Sequence, residues 1–243
     1  GSGSQPFRVV VQATLSGLDI AFMDLRKPDA RKRQTAIDLC LREKGLARLT
    51  LGDEILIEPE KPVVDFGGVM VSPPPGAFLQ ATMRAEQAMA DLVLGHLKGA
   101  KRVVDLFAGC GTFSLRLARQ SAVHAVEFDA PALGALDLGF RRAQGLKPVT
   151  TEKRDLFRRP MQPMDLKTFD GLVFDPPRAG AEAQMHELVK SKVGRVAAVS
   201  CNPVTLARDL SILIAGGFRL KSVTPIDQFL WSSHVEAVAL LER

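Results

Sequence analysis

Tyrosine is missing altogether from the 243 residues, an absence that by itself points to no activity. Cysteine is scarce: Cys40, Cys110 and Cys201 are an odd number with no C-x-x-C spacing. That argues against a disulfide framework and against a metal or iron–sulfur cluster within these residues, and a reduced, cytoplasmic protein is the expectation. No apolar run approaches the ~18 uninterrupted residues that a membrane span needs, so no membrane partner is expected. The start lacks a basic region followed by a hydrophobic stretch, as a signal peptide would have. Gly1-Ser2-Gly3-Ser4 reads instead as an expression scar and is set aside from the fold. With no initiator Met, and ordered-looking sequence from Phe7 onward, the chain reads as a domain excised from a longer one. No internal repeat or low-complexity tract is visible.

What is present is globular in character. At 46% hydrophobic and 24% charged, the chain can bury a substantial core or build one large and one small domain. The formal net charge of +5 fits a polyanionic partner, although many basic proteins bind no nucleic acid. A monomer is the default expectation.

Residues 5–75 read as a small α+β unit. Strands are predicted at 7–13 and 18–22 with Ser16-Gly17 as the turn, then a helix at 29–43 whose face is Ala36, Ile37, Cys40 and Leu41, ended by Gly45. Short strands follow at 47–51 and 54–58. The run Val71-Ser72-Pro73-Pro74-Pro75-Gly76 is the strongest breaker in the chain and marks the domain boundary. Residues 76–243 then alternate helices and short apolar strands. Thr82 can cap a helix with the face Ala85, Ala88, Met89, Leu92 and Val93. Strands are predicted at 102–106, 122–127, 171–175, 195–200, 218–223 and 234–241, with helices around 113–118, from 131, through 186–189 and from 203. This alternation predicts an α/β fold with a doubly wound, mostly parallel sheet.

In such a sheet, ligands sit outside the carboxyl ends of the strands. After the first strand comes Asp105-Leu106-Phe107-Ala108-Gly109-Cys110-Gly111-Thr112, whose glycines allow a tight turn and close backbone approach to a ligand. After the second strand comes Glu127, about 20 residues on, where an acid can accept hydrogen bonds from a ribose diol. The dinucleotide fingerprint wants a third glycine where Ser114 stands, and nothing in the loop is built for a pyrophosphate.

Three more strand ends carry unusual clusters. In Asp175-Pro176-Pro177-Arg178, two prolines make a rigid turn. Enzymes that methylate exocyclic amines place an aromatic residue where Arg178 stands, which points away from that chemistry. In Ser200-Cys201-Asn202-Pro203, proline suits the first position of a helix, so Cys201 sits just before a helix N-terminus. The partial positive charge there favours the thiolate, which is the attacking species. Cys40 and Cys110 are assigned as small buried hydrophobes. In the last strand, His234 and Glu236 share a face by the two-residue period, with Val235, Val238 and Leu240 as core. An acid in an apolar strand is costly to bury without a task, which makes Glu236 a general-base candidate and His234 a neighbour that orients it.

In this order the clusters resemble the RNA (uracil-5-)-methyltransferase family. The matching pieces are Phe78-Leu79-Gln80, the Asp105–Thr112 loop, Val126-Glu127, Phe174-Asp175-Pro176-Pro177-Arg178-Ala179-Gly180, Val199-Ser200-Cys201-Asn202-Pro203 with the following Val204 to Leu210, Asp227-Gln228-Phe229, and His234-Val235-Glu236. The resemblance implies a Rossmann-like class I methyltransferase domain that uses S-adenosyl-L-methionine on RNA (rRNA or tRNA) and needs no metal. It implies Cys201 as nucleophile and Glu236 as base, with Asp175 beside them. It also implies that Gln80, Phe107, Thr112, Glu127 and Asp175 line the cofactor and base pocket, with Gly109, Gly111 and Asp155 among the cofactor contacts. Arg178, Asn202 and His234 would meet the substrate. Two stretches depart from the family pattern: residues 136–142 lack its Asn-Ala helix, and Phe229-Leu230-Trp231-Ser232-Ser233 stands where Phe-Pro-x-Thr is usual. The RNA-binding β-barrel and cysteine cluster of some full-length members are not in these residues.

The chemistry asks for such groups. Uracil C5 is too weak a nucleophile to take a sulfonium methyl directly, and addition of a thiolate at C6 makes it enolate-like. A base must then remove the C5 proton. Rival readings are a cytosine-5 methyltransferase, which would more typically show Pro-Cys, and a cofactor-binding RNA-binding module without activity. Basic residues such as Arg31, Lys32, Arg33, Arg141, Arg142, Lys153, Arg154, Arg158 and Arg159 could contact phosphates; singly, each reads as a solvated surface charge.

Overall fold

The computed structural model describes residues 6–24, 29–42 and 44–243. Residues 1–4 and Glu43, the last residue of the first predicted helix, lie outside the described residues. The chain folds as two units, 1–79 and 80–243, divided just beyond the proline run.

In the first unit, β1 (Arg8–Thr14) and β2 (Gly17–Met23) form a hairpin in which Thr14 pairs with Gly17. The turn is therefore Leu15-Ser16, one residue earlier than expected. Gly17 belongs to the strand, at φ +131, where a Cβ would lie 2.4 Å from the Gly45 carbonyl oxygen. Helix α1 (Ala30–Arg42) crosses over to β3 (Leu46–Leu51), parallel to β2, and β4 (Glu54–Ile57) closes the sheet antiparallel. Leu41 is not on the covered face: it is 63% exposed, one residue past the half-buried stripe Arg33, Ala36, Ile37 and Cys40. Beneath the sheet, Arg48 makes a buried two-pronged ion pair with Asp19 (2.9 and 2.6 Å) and donates to the Pro73 carbonyl. Bidentate pairing with a further acceptor on the guanidinium is what makes such a pair tolerable in a core. A small hairpin, β5 (Val64–Asp65) and β6 (Met70–Val71), is an addition to the predicted elements.

The second unit opens with α2 (Met83–His96), whose N-cap is Thr82 as expected, its Oγ1 accepting from the Ala85 amide at 3.2 Å. Its buried face is Ala85, Glu86, Met89, Ala90 and Val93, with Leu92 half-buried at its margin, while Ala88 is exposed. Then follow β7 (Arg102–Leu106), α3 (Ser114–Leu117), β8 (Ala122–Glu127), α4 (Ala130–Arg142), β9 (Val149–Lys153), α5 (Pro163–Leu166) and β10 (Gly171–Phe174). The chain continues through α6 (Glu182–Leu188), β11 (Arg195–Ser200), α7 (Pro203–Ala215), β12 (Arg219–Ile226) and β13 (Glu236–Glu242). The seven strands lie in the order β12-β13-β11-β10-β7-β8-β9, and β13 alone runs opposite to the other six. Strand β9 and the short α5 were not predicted. As the edge strand, β9 buries only Val149 and is otherwise Thr, Thr, Glu and Lys, so it carries no apolar run.

The inner strands are buried on both faces, as Gly171–Phe174 and most of Arg195–Ser200 show. One core cluster includes Leu106, Phe174, Ala198, Met185, Leu206 and Leu213, pinning α6 and α7 to the sheet. The strand order reverses between β7 and β10, which makes the ends of these two strands the natural place for a crevice.

Candidate active site

Strands β7, β8, β9, β10 and β11 are parallel, so their carboxyl ends share one edge of the sheet. Antiparallel β13 begins at that same edge. Its register pairs Ala237 with Ser200 and Glu236 with Ile226, which sets Glu236 at the rim beside Cys201. Glu236 is only 2% exposed.

Here the sequence-based expectation needs correction. His234 is not in the strand, which starts at Glu236; it is exposed, in the loop before it. His234 does not orient Glu236 either. Its Nδ1 faces Arg178 Nη1 at 3.4 Å and its ring packs edge-on against Phe229, 6.1 Å between centroids. The group bound to Glu236 is Gln228, buried at 6% exposure, whose Nε2 donates to Glu236 Oε1 (3.0 Å) and to Gln80 Oε1 (3.0 Å). Gln228 Oε1 accepts from the Ala81 amide (3.1 Å). Gln80 in turn donates to Asp175 Oδ2 (3.0 Å). A carboxamide chain thus links the two carboxyls, and Gln228, within the family-like run Asp227-Gln228-Phe229, is a site residue that the sequence pattern alone does not single out.

Electrostatically the site is crowded with acids. Burial, then the charges of Glu236 and Asp105, push the Asp175 carboxyl up to about 8, against the Gln80 hydrogen bond. Burial also raises Glu236, opposed by Gln228. Asp105 was missed as a site residue. It lies fully buried in β7 with Ser114 Oγ donating to its Oδ2 at 2.6 Å, and burial pushes it up to about 7. Among the described residues its Oδ1 has no hydrogen-bond partner. An acid inside the apolar run Arg102–Leu106 was a legible signal, the same one that singled out Glu236.

Cys201 also differs from expectation. It does precede α7, but its thiol is held up, not down: burial comes first, then the charges of Glu236 and Asp175, with Arg178 opposing. Burial, with two nearby carboxyls added to it, sets the thiol against the direction expected from a helix end. At rest the sulfur is a thiol whose proton must be removed. Asn202, expected at the substrate, is the N-cap of α7. Its side chain accepts from the Val204 amide (3.1 Å) and its Nδ2 donates to the Arg178 carbonyl (2.9 Å). Thr205 Oγ1 donates to the same carbonyl, Arg208 Nη2 to the Ala179 carbonyl, and buried Asp209 Oδ2 accepts from the Ala181 amide at 2.7 Å. The start of α7 thereby latches the loop that carries Arg178.

At the other half of the edge, Phe107 turns the chain out of β7 at φ +62, an uncommon backbone for a bulky residue and one that tends to mark functional sites. Its ring meets Phe157 at 5.6 Å. Gly109 (φ +53) has open space where a Cβ would stand, while a Cβ on Gly111 (φ +100) would lie 2.8 Å from Leu136 and 3.0 Å from Leu115. Gly111 therefore serves packing, and Gly109 is the one with room beside it. Thr112 follows, half-buried. Glu127 ends β8 with Oε2 accepting from the Gly109 amide (2.9 Å) and Oε1 from the Phe128 and Asp129 amides (2.6 and 2.8 Å). Asp155, after β9, accepts from the Phe157 and Arg158 amides. Cys110 is buried, its thiol pushed up to about 12, as befits an inert core residue.

Several of the basic residues flagged earlier are engaged within the chain: Lys32 with Asp29, Arg33 with Glu54, Arg141 with Asp137, Arg154 with Glu152 and Asp165, and Arg158 with Asp155. Among the described residues no cluster of His, Cys, Asp and Glu could hold a metal ion, and no helix is long and apolar enough to cross a membrane.

Comparison with known proteins places this edge in context. An uncharacterized RNA methyltransferase of Rhizobium meliloti (strain 1021) is 63% identical over 242 residues, covering 100% of this chain but 58% of that protein. The 23S rRNA (uracil(1939)-C(5))-methyltransferase RlmD of Aeromonas hydrophila is 37% identical over 187 residues, 75% of this chain and 42% of that protein. The chain thus spans little more than half the length of the most similar of these relatives. Among solved structures, the Pyrococcus abyssi tRNA (uracil-54, C5)-methyltransferase in complex with S-adenosyl-L-homocysteine superposes with a TM-score of 0.72, at 22% identity, over 96% of this chain and 59% of that one. At that identity the likeness shows a shared fold, the class I methyltransferase sheet. The family model described as tRNA (Uracil-5-)-methyltransferase matches residues 28–243, and the chain belongs to that family.

Proposed function

We propose that this chain methylates C5 of a uridine in RNA with S-adenosyl-L-methionine, using Cys201 as nucleophile and Glu236 as general base. The observation that carries it is the register of β11 and β13, which sets a cysteine and a buried acid side by side at the rim where Asp175 and Arg178 also stand.

The donor set fits the cofactor. Glu127 and Asp155 are acceptor groups fixed by backbone amides, Gly109 leaves room beside Glu127, and no cation stands in the loop to greet a pyrophosphate. Such acceptors suit ribose hydroxyls and an uncharged adenosyl group. S-adenosyl-L-methionine held by these residues would supply an electrophilic methyl group.

The protein's own part is to make and unmake the C6 bond. A raised thiol pKa asks for a proton acceptor; Glu236 is the carboxyl free to serve, and it must pass that proton to solvent before it takes the C5 proton. The Cys201 thiolate adds to C6, and C5 becomes the carbon nucleophile. Asp175, protonated at neutral pH, can donate a hydrogen bond to a uracil carbonyl and so stabilise the enolate. After methyl transfer, Glu236 takes the C5 proton and elimination frees the sulfur. The target base must leave its stack, which costs least in a loop or bulge. Ribosomal and transfer RNA are both substrates of this kind.

Tritium release from [5-³H]uracil-labelled RNA tests the reading. Wild type should release tritium and Cys201→Ala should not, while calorimetry shows cofactor binding unchanged. Glu236→Gln should accumulate a covalent RNA adduct on a denaturing gel. Turnover retained without Cys201 refutes the mechanism.

A further inference from the structure

The loop between β12 and β13 carries a feature the chemistry above leaves unused. Residues 229–232 form a turn closed by the Ser232 amide donating to the Phe229 carbonyl at 3.1 Å. Trp231 sits at its third position with φ +67, a place that ordinarily takes Gly or Asn. Its side chain is fully exposed, Leu230 beside it is 72% exposed, and Phe229 is partly so. A large apolar ring on a strained backbone in water gains nothing for the fold, and such strain clusters where it has a use.

The turn is tied to the reacting groups on both sides. Gln228, just before it, holds Glu236; His234, just after it, packs on Phe229 and meets Arg178. The turn that carries Trp231 is therefore anchored at both ends to groups of the site, and the Arg178 guanidinium stands at one of those anchors, where it could meet phosphate. Aromatic side chains beside cationic groups are how proteins hold unpaired bases. This segment is also where the chain departs from the usual Phe-Pro-x-Thr.

We infer that Trp231 is a stacking platform for an unpaired RNA base next to the target uridine, a specificity element that rests on the RNA reading above. Flipping the target leaves its neighbour without a stacking partner, and an indole at the rim replaces the lost contact.

Trp231 is the only tryptophan in the chain, so its fluorescence reports on this position alone. Titration with a fluorescein-labelled stem–loop RNA bearing a uridine in its loop should quench that emission saturably, in step with the anisotropy of the label. Inorganic polyphosphate, which has charge and no bases, should not quench it. Trp231→Gly suits the left-handed backbone better and should be at least as stable as wild type, yet bind the RNA roughly 5- to 100-fold more weakly. Trp231→Phe should recover much of the loss. RNA binding with unchanged emission, or a Trp231→Gly protein that binds as tightly as wild type, overturns the platform while tritium release still judges the chemistry. Failure of the RNA to bind wild type at all overturns the RNA reading and the platform with it.

Discussion

Replacing Gly180 with alanine tests the latch between α7 and the loop that carries Asp175 and Arg178. Gly180 sits at φ +75, and a Cβ there would lie 2.5 Å from Arg208 Nη2, 2.7 Å from Asp209 Oδ2 and 3.0 Å from Thr205 Cβ. The left-handed backbone alone costs alanine about 1–2 kcal/mol. Arg208 can swing aside cheaply. Asp209 cannot, because it is 1% exposed and its Oδ2 is the acceptor for the Ala181 amide. Losing that charge-assisted hydrogen bond costs a further ~1.5–3 kcal/mol. The sum, about 2.5–5 kcal/mol, corresponds to a fall in melting temperature on the order of 10 °C for a chain of this size. Thermal unfolding by circular dichroism reads the stability, and tritium release well below the new midpoint reads the geometry. Turnover should fall even where the protein is folded, since the Arg178 and Ala179 carbonyls are held by the same helix start. A melting temperature within about 2 °C of wild type, with unchanged turnover, would refute the latch.

Two further outcomes follow from the buried acids. Gln228→Leu removes the one donor that lowers Glu236, so the Glu236 pKa rises further. A base must be ionised to act, so the acid limb of the pH–rate profile should move to higher pH; a limb that stays in place means Glu236 is not the base or Gln228 does not tune it. Asp105 has a folded-state pKa of about 7, against the 3.8 of an aspartate in water. The folded state therefore holds its proton more tightly, and stability present below pH 3.8 is lost as pH rises through 7. That loss is roughly 4 kcal/mol at most. Asp105→Asn cannot suffer it, so urea unfolding should show the variant gaining on wild type between about pH 4 and pH 7. Parallel pH dependence in the two proteins would show that Asp105 does not titrate there.

The alternation of apolar strands and helices was legible because inner strands buried on both faces must be apolar throughout. Arg102–Leu106 and Arg195–Ser200, buried beyond their first residue, fall where the pattern sets them, and Ala122–Glu127 does too although its half-buried His124 interrupts the run. The edge strand Val149–Lys153 was not legible, since one covered residue leaves no periodicity to detect. His234 was drawn into β13 by its neighbours' pattern, yet the ladder with β12 ends at the Ile226–Glu236 pair and leaves it in the loop.

The sequence by itself determined the local chemistry: a glycine loop after β7, an acid at the end of β8, rigid prolines after Asp175, and a cysteine before a proline-started helix. Those are properties of neighbouring residues and survive without a fold. Tertiary structure decided which groups act on which. Gln228 joins Glu236 to Gln80, which lies 148 positions away along the chain; Asn202 turns to cap a helix and hold Arg178; Gly111 packs while Gly109 leaves space. The state of Cys201 was decided there too. A helix end by itself favours the thiolate, but only the packed structure buries the sulfur and brings Glu236 and Asp175 near it, and these raise its pKa.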